Sequence, residues 1–161
     1  ILIFSVFGLL IFIQGWYPVV IVDSEIIWRG TLNKATQAAL TYYQKKGALI
    51  KSENTKEIQG AILDKLIENM LISKKLDEIN SPEALTQIQE MVTKYNNLLN
   101  LDSAAALAYN LTLKEFYDLI LFPQAQREWL EKKLAEENQK LEDWLIKTKQ
   151  AANIIWIIKR D

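Results

Sequence analysis

Residues 55–79 read TKEIQGAILDKLIENMLISKKLDEI, and this stretch decides the fold. Large apolar side chains recur at intervals of four, which places them on one face of an α-helix: Ile58, Ile62, Leu66 and Met70. Ile67 and Leu71 widen this stripe beyond the narrow seam of a coiled coil. The pattern therefore predicts one long helix that faces the core of a globular domain.

Helices are also predicted on both sides of this stretch. Apolar residues share one face over 31–46, and Gly47 is a suitable stop after them. A polar-ended loop is predicted at 49–54. After the long helix, Ser81 can cap a new helix whose first position is Pro82, and its apolar spacing extends to about residue 99.

The second half of the chain continues this helical pattern. A short Ala-rich helix is predicted at 102–109. Thr112 and Glu115 form a capping box, in which each side chain bonds the backbone N–H of the other residue, and a longer helix begins there. Pro123 lies inside that helix and predicts a kink or break just before it. Helical spacing then runs over 133–150 without interruption.

Short strands are predicted near both ends of the domain. Two apolar runs within 19–27 flank Asp23-Ser24, which predicts a strand, a turn and a second strand. Residues 153–158 (NIIWII) are β-branched and predict a terminal strand, which we expect to pair with the strand at 19–22. The predicted fold class is therefore mainly α, a multi-helix domain over 18–161 with a small sheet formed from its ends.

The first 22 residues carry no charge, and 1–13 is an almost unbroken apolar run. Trp16 and Tyr17 follow it, where an interfacial aromatic belt would lie. Because about 20 apolar residues are needed to span a bilayer, we expect further residues upstream. We predict an uncleaved transmembrane helix over 1–17, with the domain on the extracytoplasmic side of the cell membrane in a single-pass arrangement. A cleaved signal peptide and a buried core helix are the alternatives.

Composition narrows the possible functions. The net charge is −1 with acidic and basic residues interspersed, so no basic stripe favours nucleic acid. The chain has no Cys and no His, which removes disulfides, thiol nucleophiles, the usual zinc ligands and the commonest general base. Only carboxylate, Lys, Tyr or Ser chemistry would remain. We predict that the protein is not an enzyme and that it has no metal, no cofactor and no small-molecule substrate.

Four segments, in this order, resemble the N-terminal chaperone domain of the SurA/PrsA group of extracytoplasmic foldases. They are 22–27 (VDSEII), 58–80 (IQGAILDKLIENMLISKKLDEIN), 111–134 (LTLKEFYDLILFPQAQREWLEKKL) and 141–158 (LEDWLIKTKQAANIIWII). Asp23-Ser24 stands where the family has Asn-Gly. Larger family members carry a parvulin-type prolyl isomerase domain before the last segment, whereas only about residues 135–140 separate the two parts here. The resemblance implies a SurA N-terminal-like fold that binds polypeptides and lacks isomerase activity.

Aromatic side chains are the candidates for a binding surface, because a chaperone that accepts many sequences needs exposed apolar area. Helical spacing is equally typical of core residues, so both interpretations stay open for each of the six. Tyr42 and Tyr43 are neighbours on one helix and cannot both face inward. The predicted peptide-binding residues are Tyr42, Tyr43, Tyr109, Phe116, Phe122 and Trp129.

Three functions are compatible with these observations. The first is a membrane-anchored chaperone-like domain that captures unfolded or newly translocated chains between its helices. The second is a membrane-tethered adaptor or structural protein with one specific protein partner. The third is an enzyme fragment whose catalytic domain is absent from this sequence. A broad groove favours the first, and a compact patch with a polar rim favours the second.

Overall fold

The computed structural model describes residues 17–49, 51–98 and 104–158. In these ranges the strands are β1 (Pro18–Val22), β2 (Glu25–Trp28) and β3 (Ile154–Trp156). The helices are α1 (Arg29–Lys45), α2 (Ser52–Ile79), α3 (Pro82–Leu98), α4 (Leu113–Phe116), α5 (Phe122–Glu136) and α6 (Leu141–Ala151). Two π-helical segments, Ala104–Tyr109 and Tyr117–Leu121, precede α4 and α5. The mainly α fold with a small sheet is confirmed.

Helix α2 is the centre of the domain, as the sequence of 55–79 predicted. Its 28 residues extend over about 42 Å at 1.5 Å per residue. Ile67 and Leu71 pack with the sheet and the start of α1 in one hydrophobic cluster. Ile72 and Leu76 belong to a second cluster, built with α3, α5 and α6. The wide apolar stripe thus allows one helix to join two parts of the core.

The sheet is antiparallel, with strand order β2-β1-β3. Ile21 of β1 pairs with Ile26 on one side and with Ile155 on the other. The predicted pairing between the two ends of the domain is confirmed by this register. The inner face of β1 is fully buried at Val20, which lies against the cluster that contains α2.

Asp23 joins the hairpin turn to two other parts of the fold. Its backbone N–H donates to Asn153 O at 2.8 Å, and its Oδ1 accepts from Asn153 N at 3.0 Å. Its Oδ2 accepts a hydrogen bond from Lys74 on α2. The bonds from Lys74 and Asn153 hold the pKa of Asp23 below its ordinary value. The φ of +56° places Asp23 in the left-handed region, which Asn and Asp adopt more readily than most residues.

The two helix starts that were predicted from capping residues are confirmed. Ser81 Oγ accepts from Ala84 N at 3.2 Å at the start of α3. In the capping box, Glu115 N donates to Thr112 Oγ1 at 3.3 Å, and Thr112 N donates to Glu115 Oε2 at 2.9 Å. Lys34 of α1 also bonds Glu115, and these contacts lower the pKa of Glu115 to about 2.

The prediction at Pro123 was a kink or a break, and the break is absent, because the π-helical segment Tyr117–Leu121 leads directly into α5. Phe122 N–H donates to Tyr117 O, five residues back, and Pro123 occupies the first turn of α5. The longer hydrogen-bonded turn accommodates a residue that lacks an N–H. The Ala-rich stretch at Ala104–Tyr109 is likewise π-helical rather than α-helical.

The prediction of an uninterrupted helix over 133–150 was wrong. Helix α5 ends at Glu136, and Asn138 takes a left-handed conformation with φ +57°. Gln139 N donates to Leu134 O at 2.9 Å, which closes the helix in the manner of a Schellman motif. Helix α6 starts at Leu141 and returns across α2. Asparagine is a known alternative to glycine at this position, so Asn138 was a local sequence signal for the end of the helix.

The predicted transmembrane helix at 1–17 falls on residues 1–16, which lie outside the described ranges, and on Tyr17. Within the described ranges, no helix is both long enough and apolar enough to cross a bilayer.

Candidate functional site

A cavity of about 250 Å³ lies between α1, α2 and the turn that contains Pro123. Its walls are mainly apolar. Helix α2 contributes Ile62 and Leu66, and the second π-helical segment contributes Leu119 and Ile120. The cavity is larger than the apolar cavity of about 150 Å³ that accommodates benzene in an engineered protein. It therefore has room for at least one large apolar side chain.

Small residues on α1 create this space. Ala35, Ala38 and Ala39 line the cavity at a spacing of three and four, so they share the helix face that looks toward α2. A methyl group at each of these positions leaves the volume that a Leu or Ile would fill. On the opposite wall, the π-helical turn before Pro123 brings Ile120 to the same cavity.

Three tyrosines form the aromatic edge of the cavity. Tyr42 stacks on Tyr109 with ring centroids 5.0 Å apart and planes 9° apart. Tyr43 meets Tyr42 edge-on at 6.0 Å, and the ammonium of Lys46 lies 5.6 Å from the Tyr42 ring centroid. Burial, and after it the neighbouring Tyr42, raises the pKa of Tyr109. Tyr43 is 46% exposed, so it is the tyrosine most available to an incoming ligand.

A charged cluster lies beside the cavity. Glu68 of α2 accepts from Arg127 Nη1 of α5 at 3.0 Å and from Lys149 Nζ of α6 at 2.9 Å. Each carboxylate oxygen of Glu68 thus has its own cationic partner. Burial tends to raise the pKa of Glu68, but the two hydrogen bonds outweigh it and the net direction is downward. Glu68 is therefore ionised at neutral pH and holds α5 and α6 against α2.

Lys65 lines the cavity three residues before Glu68. The side chain of Lys65 is partly buried, and its ammonium forms no hydrogen bond or ion pair within the described part of the chain. Burial lowers the pKa of Lys65, the positive charges of Arg127 and Lys149 lower it further, and Glu68 opposes the shift. A cation without its own counter-ion is thus held at the cavity wall.

Asn69 lines the same cavity one helical turn beyond Lys65. Its Oδ1 atom is inaccessible to solvent and accepts no hydrogen bond from any described residue. An unsatisfied buried acceptor costs about 1–3 kcal/mol, so such atoms are uncommon in folded proteins. Because Oδ1 has no solvent-accessible surface, a ligand could donate a hydrogen bond to it only after the Asn69 amide turns toward the cavity, and that bond would recover this free energy.

The six aromatic residues predicted from the sequence lie in different places. Tyr42, Tyr43 and Tyr109 line the cavity together. Phe116 is only 5% exposed and lies beneath Tyr109, at 5.3 Å between ring centroids. Phe122 stacks on Tyr117 at 5.6 Å. Trp129 donates its indole N–H to Gln87 Oε1 at 2.8 Å and lines a separate hollow of about 350 Å³.

Sequence reasoning did not find Lys65, Asn69 or the three alanines. Their residue types carry no signal by themselves on a helix, since Lys and Asn are usually solvated and Ala is a common helix former. The spacing of four between Lys65 and Asn69, together with the same spacing of apolar residues at Ile62 and Leu66, is compatible with a shared face. Only the packing of α1 on α2 turns that face into a cavity wall.

The outer face of the sheet is a second apolar surface. Ile21, Ile26 and Ile155 are cross-strand partners, so their side chains lie on the same face. This face is extended by Trp28, two residues further along β2, and by Ile157, directly after the end of β3. Four of the five are exposed, at 37–49% of their surface: Ile26, Trp28, Ile155 and Ile157. We call these five residues the outer sheet face.

Within the described ranges, no group of three or more acidic residues is arranged to hold a metal ion. Comparison of the chain with protein-family models, curated proteins and solved structures finds no match. The similarity to the SurA/PrsA chaperone domain thus rests on the four sequence segments alone and stays a prediction.

Proposed function

We propose that this domain binds apolar segments of polypeptide chains in the cavity between α1 and α2. The observation that carries the proposal is the combination of apolar cavity walls with an unsatisfied buried acceptor, Oδ1 of the lining residue Asn69. A polypeptide provides apolar side chains for the walls and backbone N–H donors for the acceptor. The exposed ring of Tyr43 adds a contact that tolerates many side chains.

A chaperone-like role agrees best with this geometry. The cavity accepts a side chain by burial of apolar area, which is not directional and does not select one sequence. One cavity of about 250 Å³ covers only a short part of a client, so we expect dissociation constants in the micromolar range. Capture would be reversible and would involve no covalent chemistry, cofactor or isomerase activity.

We expect the purified protein to suppress aggregation of an unfolded model protein at near-stoichiometric ratios. Tyr43→Ala should weaken this suppression about threefold or more while the thermal midpoint changes little, because Tyr43 is exposed at the cavity edge. Light scattering and thermal melts measure the two quantities.

The matched control is Trp28→Ala, which removes an aromatic of similar exposure on the outer sheet face. This variant should suppress aggregation as the unmodified chain does. Full suppression by Tyr43→Ala together with a loss in Trp28→Ala would contradict the cavity proposal. That result would favour the second candidate function, an adaptor that binds one specific protein through the outer sheet face.

We also propose that the segment at 1–17 holds the domain at the extracytoplasmic surface of the cell membrane. Five peptide units connect residue 13 to Pro18, the first residue of β1, and they extend at most roughly 18 Å. The outer sheet face therefore stays close to the end of the apolar run. Its exposed Trp28 is suited to a bilayer interface, where aromatic side chains are enriched.

The protein, expressed with its native upstream residues, is expected to stay with membranes after an alkaline carbonate wash. Phe4→Lys combined with Leu9→Lys should release it, since each charge near the centre of a spanning helix costs about 2.5–3.5 kcal/mol. Ile155→Lys is the control and should not release it, because this residue lies on the sheet. Retention of the double-lysine variant would show that another part of the chain makes the attachment.

A further inference from the structure

Three unmet requirements coincide at the cavity between α1 and α2. The apolar walls enclose about 250 Å³ that the domain's own side chains do not fill. Asn69 Oδ1 is buried and lacks a hydrogen-bond donor within the described residues. Lys65 is a partly buried cation without an ion-pair partner in the same part of the chain. Each requirement calls for a different chemical group.

The local charge balance is positive. Glu68 is the carboxylate that acts on Lys65, but its two oxygens are already bonded to Arg127 and Lys149. Within this group of four side chains, one acidic and three basic, there is an excess of two positive charges. An anion bound at Lys65 would meet little competition from Glu68, and it would relieve the repulsion among the three cations.

Lys65 and Asn69 are close enough to contact one small group. They are separated by four residues on α2, so they lie on the same face, one turn apart. The rise between them is about 6 Å, which a flexible lysine side chain readily bridges. A ligand that offers an N–H and an anion a few ångströms apart can therefore satisfy both residues.

We infer that the cavity binds the C-terminal residue of a polypeptide, with its apolar side chain in the cavity, its amide N–H on Asn69 Oδ1 and its carboxylate on Lys65. This inference rests on the proposed polypeptide-binding function and narrows its substrate class. An internal segment of a chain provides the side chain and the N–H but no obligatory anion. A fatty acid provides the tail and the anion but no donor for Asn69. The C-terminal residue supplies all three groups.

The first test compares two forms of one fluorescent hexapeptide that ends in leucine. One form has a free C-terminal carboxylate, and the other has a carboxamide. We expect the protein to bind the free acid roughly 5–10-fold more tightly, the effect of one partly desolvated charge-assisted contact of about 1–1.4 kcal/mol. Fluorescence anisotropy measures both dissociation constants.

Variants of Lys65 assign that preference to its charge. Lys65→Met should bind both peptides with similar affinity, and Lys65→Arg should keep the preference for the free acid. Lys147→Met is the matched control, because Lys147 is exposed on α6 and does not line the cavity. It should retain the full preference, which excludes a general effect of net charge.

The second test concerns Asn69. N-methylation of the peptide's last amide removes the donor, and it should weaken binding to the unmodified chain by about fivefold. The same methylation should have much less effect on Asn69→Leu, which has no acceptor to leave unsatisfied. Decanoic acid, which has no N–H, should compete only weakly for the site.

The outcomes separate this inference from the broader proposal. Equal binding of the acid and amide peptides, with both weakened when Ala39→Leu fills the cavity, would overturn the C-terminal inference and leave polypeptide binding intact. Binding of neither peptide would overturn both. A preference for the free acid that persists in Lys65→Met would also overturn the inference, because the anion would then be recognised elsewhere.

Discussion

Replacement of Phe116 by Ala is expected to lower the free energy of unfolding by about 3–5 kcal/mol. Phe116 is 5% exposed and belongs to the larger hydrophobic cluster, so truncation removes buried apolar area and leaves a void. Its ring also supports Tyr109 at 5.3 Å, which in turn stacks on Tyr42. Chemical denaturation of the protein, followed by circular dichroism, measures the change.

Tyr43→Ala is the comparison for this result, because Tyr43 is 46% exposed. We expect its free energy of unfolding to change by about 0.5 kcal/mol or less. The two variants separate a core residue from a binding residue among the six aromatics predicted together. A loss below about 1 kcal/mol for Phe116→Ala would mean that Phe116 is not part of a tightly packed core.

The elements were predictable wherever the signal is local. The spacing of apolar residues at 55–79 identifies α2 and the width of its buried face. Ser81 and the pair Thr112 and Glu115 identify helix starts, because capping depends on residues only three positions apart. The pairing of β1 with β3 was predictable because both are short β-branched runs at the ends of one domain.

Other features depend on contacts between distant residues. Asp23 adopts a left-handed conformation that is held by Lys74 and Asn153, which are 51 and 130 residues away. Neither partner is identifiable from the sequence around the turn. Pro123 is a second feature whose local structure the sequence predicts only in part. Its missing N–H predicts a disturbance of the helix, but the sequence around it does not reveal that the disturbance is a π-helical turn directly before α5.

The candidate site was only partly predictable for the same reason. Aromatic residues are natural candidates for binding, and three of the six line the cavity. The cavity exists because three alanines on α1 have side chains too small to fill the space between the helices. Lys65 is distinctive because Glu68 is already bonded to residues 59 and 81 positions away. Such a consequence of tertiary packing has no counterpart in local sequence.

Ala39→Leu is expected to reduce polypeptide binding by at least about tenfold, which corresponds to 1.4 kcal/mol of binding free energy. Ala39 lines the cavity on α1, so the larger side chain occupies space that a client side chain would enter. Each added carbon atom that is buried stabilises the fold by about 0.8 kcal/mol, and this gain offsets the cost of any overpacking. We therefore expect a folded variant with a free energy of unfolding within about 2 kcal/mol of the unmodified chain.

Ala61→Leu provides the matched control, since Ala61 is exposed on α2 and does not line the cavity. It makes the same chemical change and should leave binding and stability nearly unaltered. Anisotropy with the leucine-ended hexapeptide and denaturation of both variants measure the two effects. Normal peptide affinity in a folded Ala39→Leu variant would place the binding surface outside this cavity. A loss of affinity in Ala39→Leu alone, with stability preserved, would locate polypeptide capture between α1 and α2, because Ala61→Leu makes the same chemical change outside the cavity.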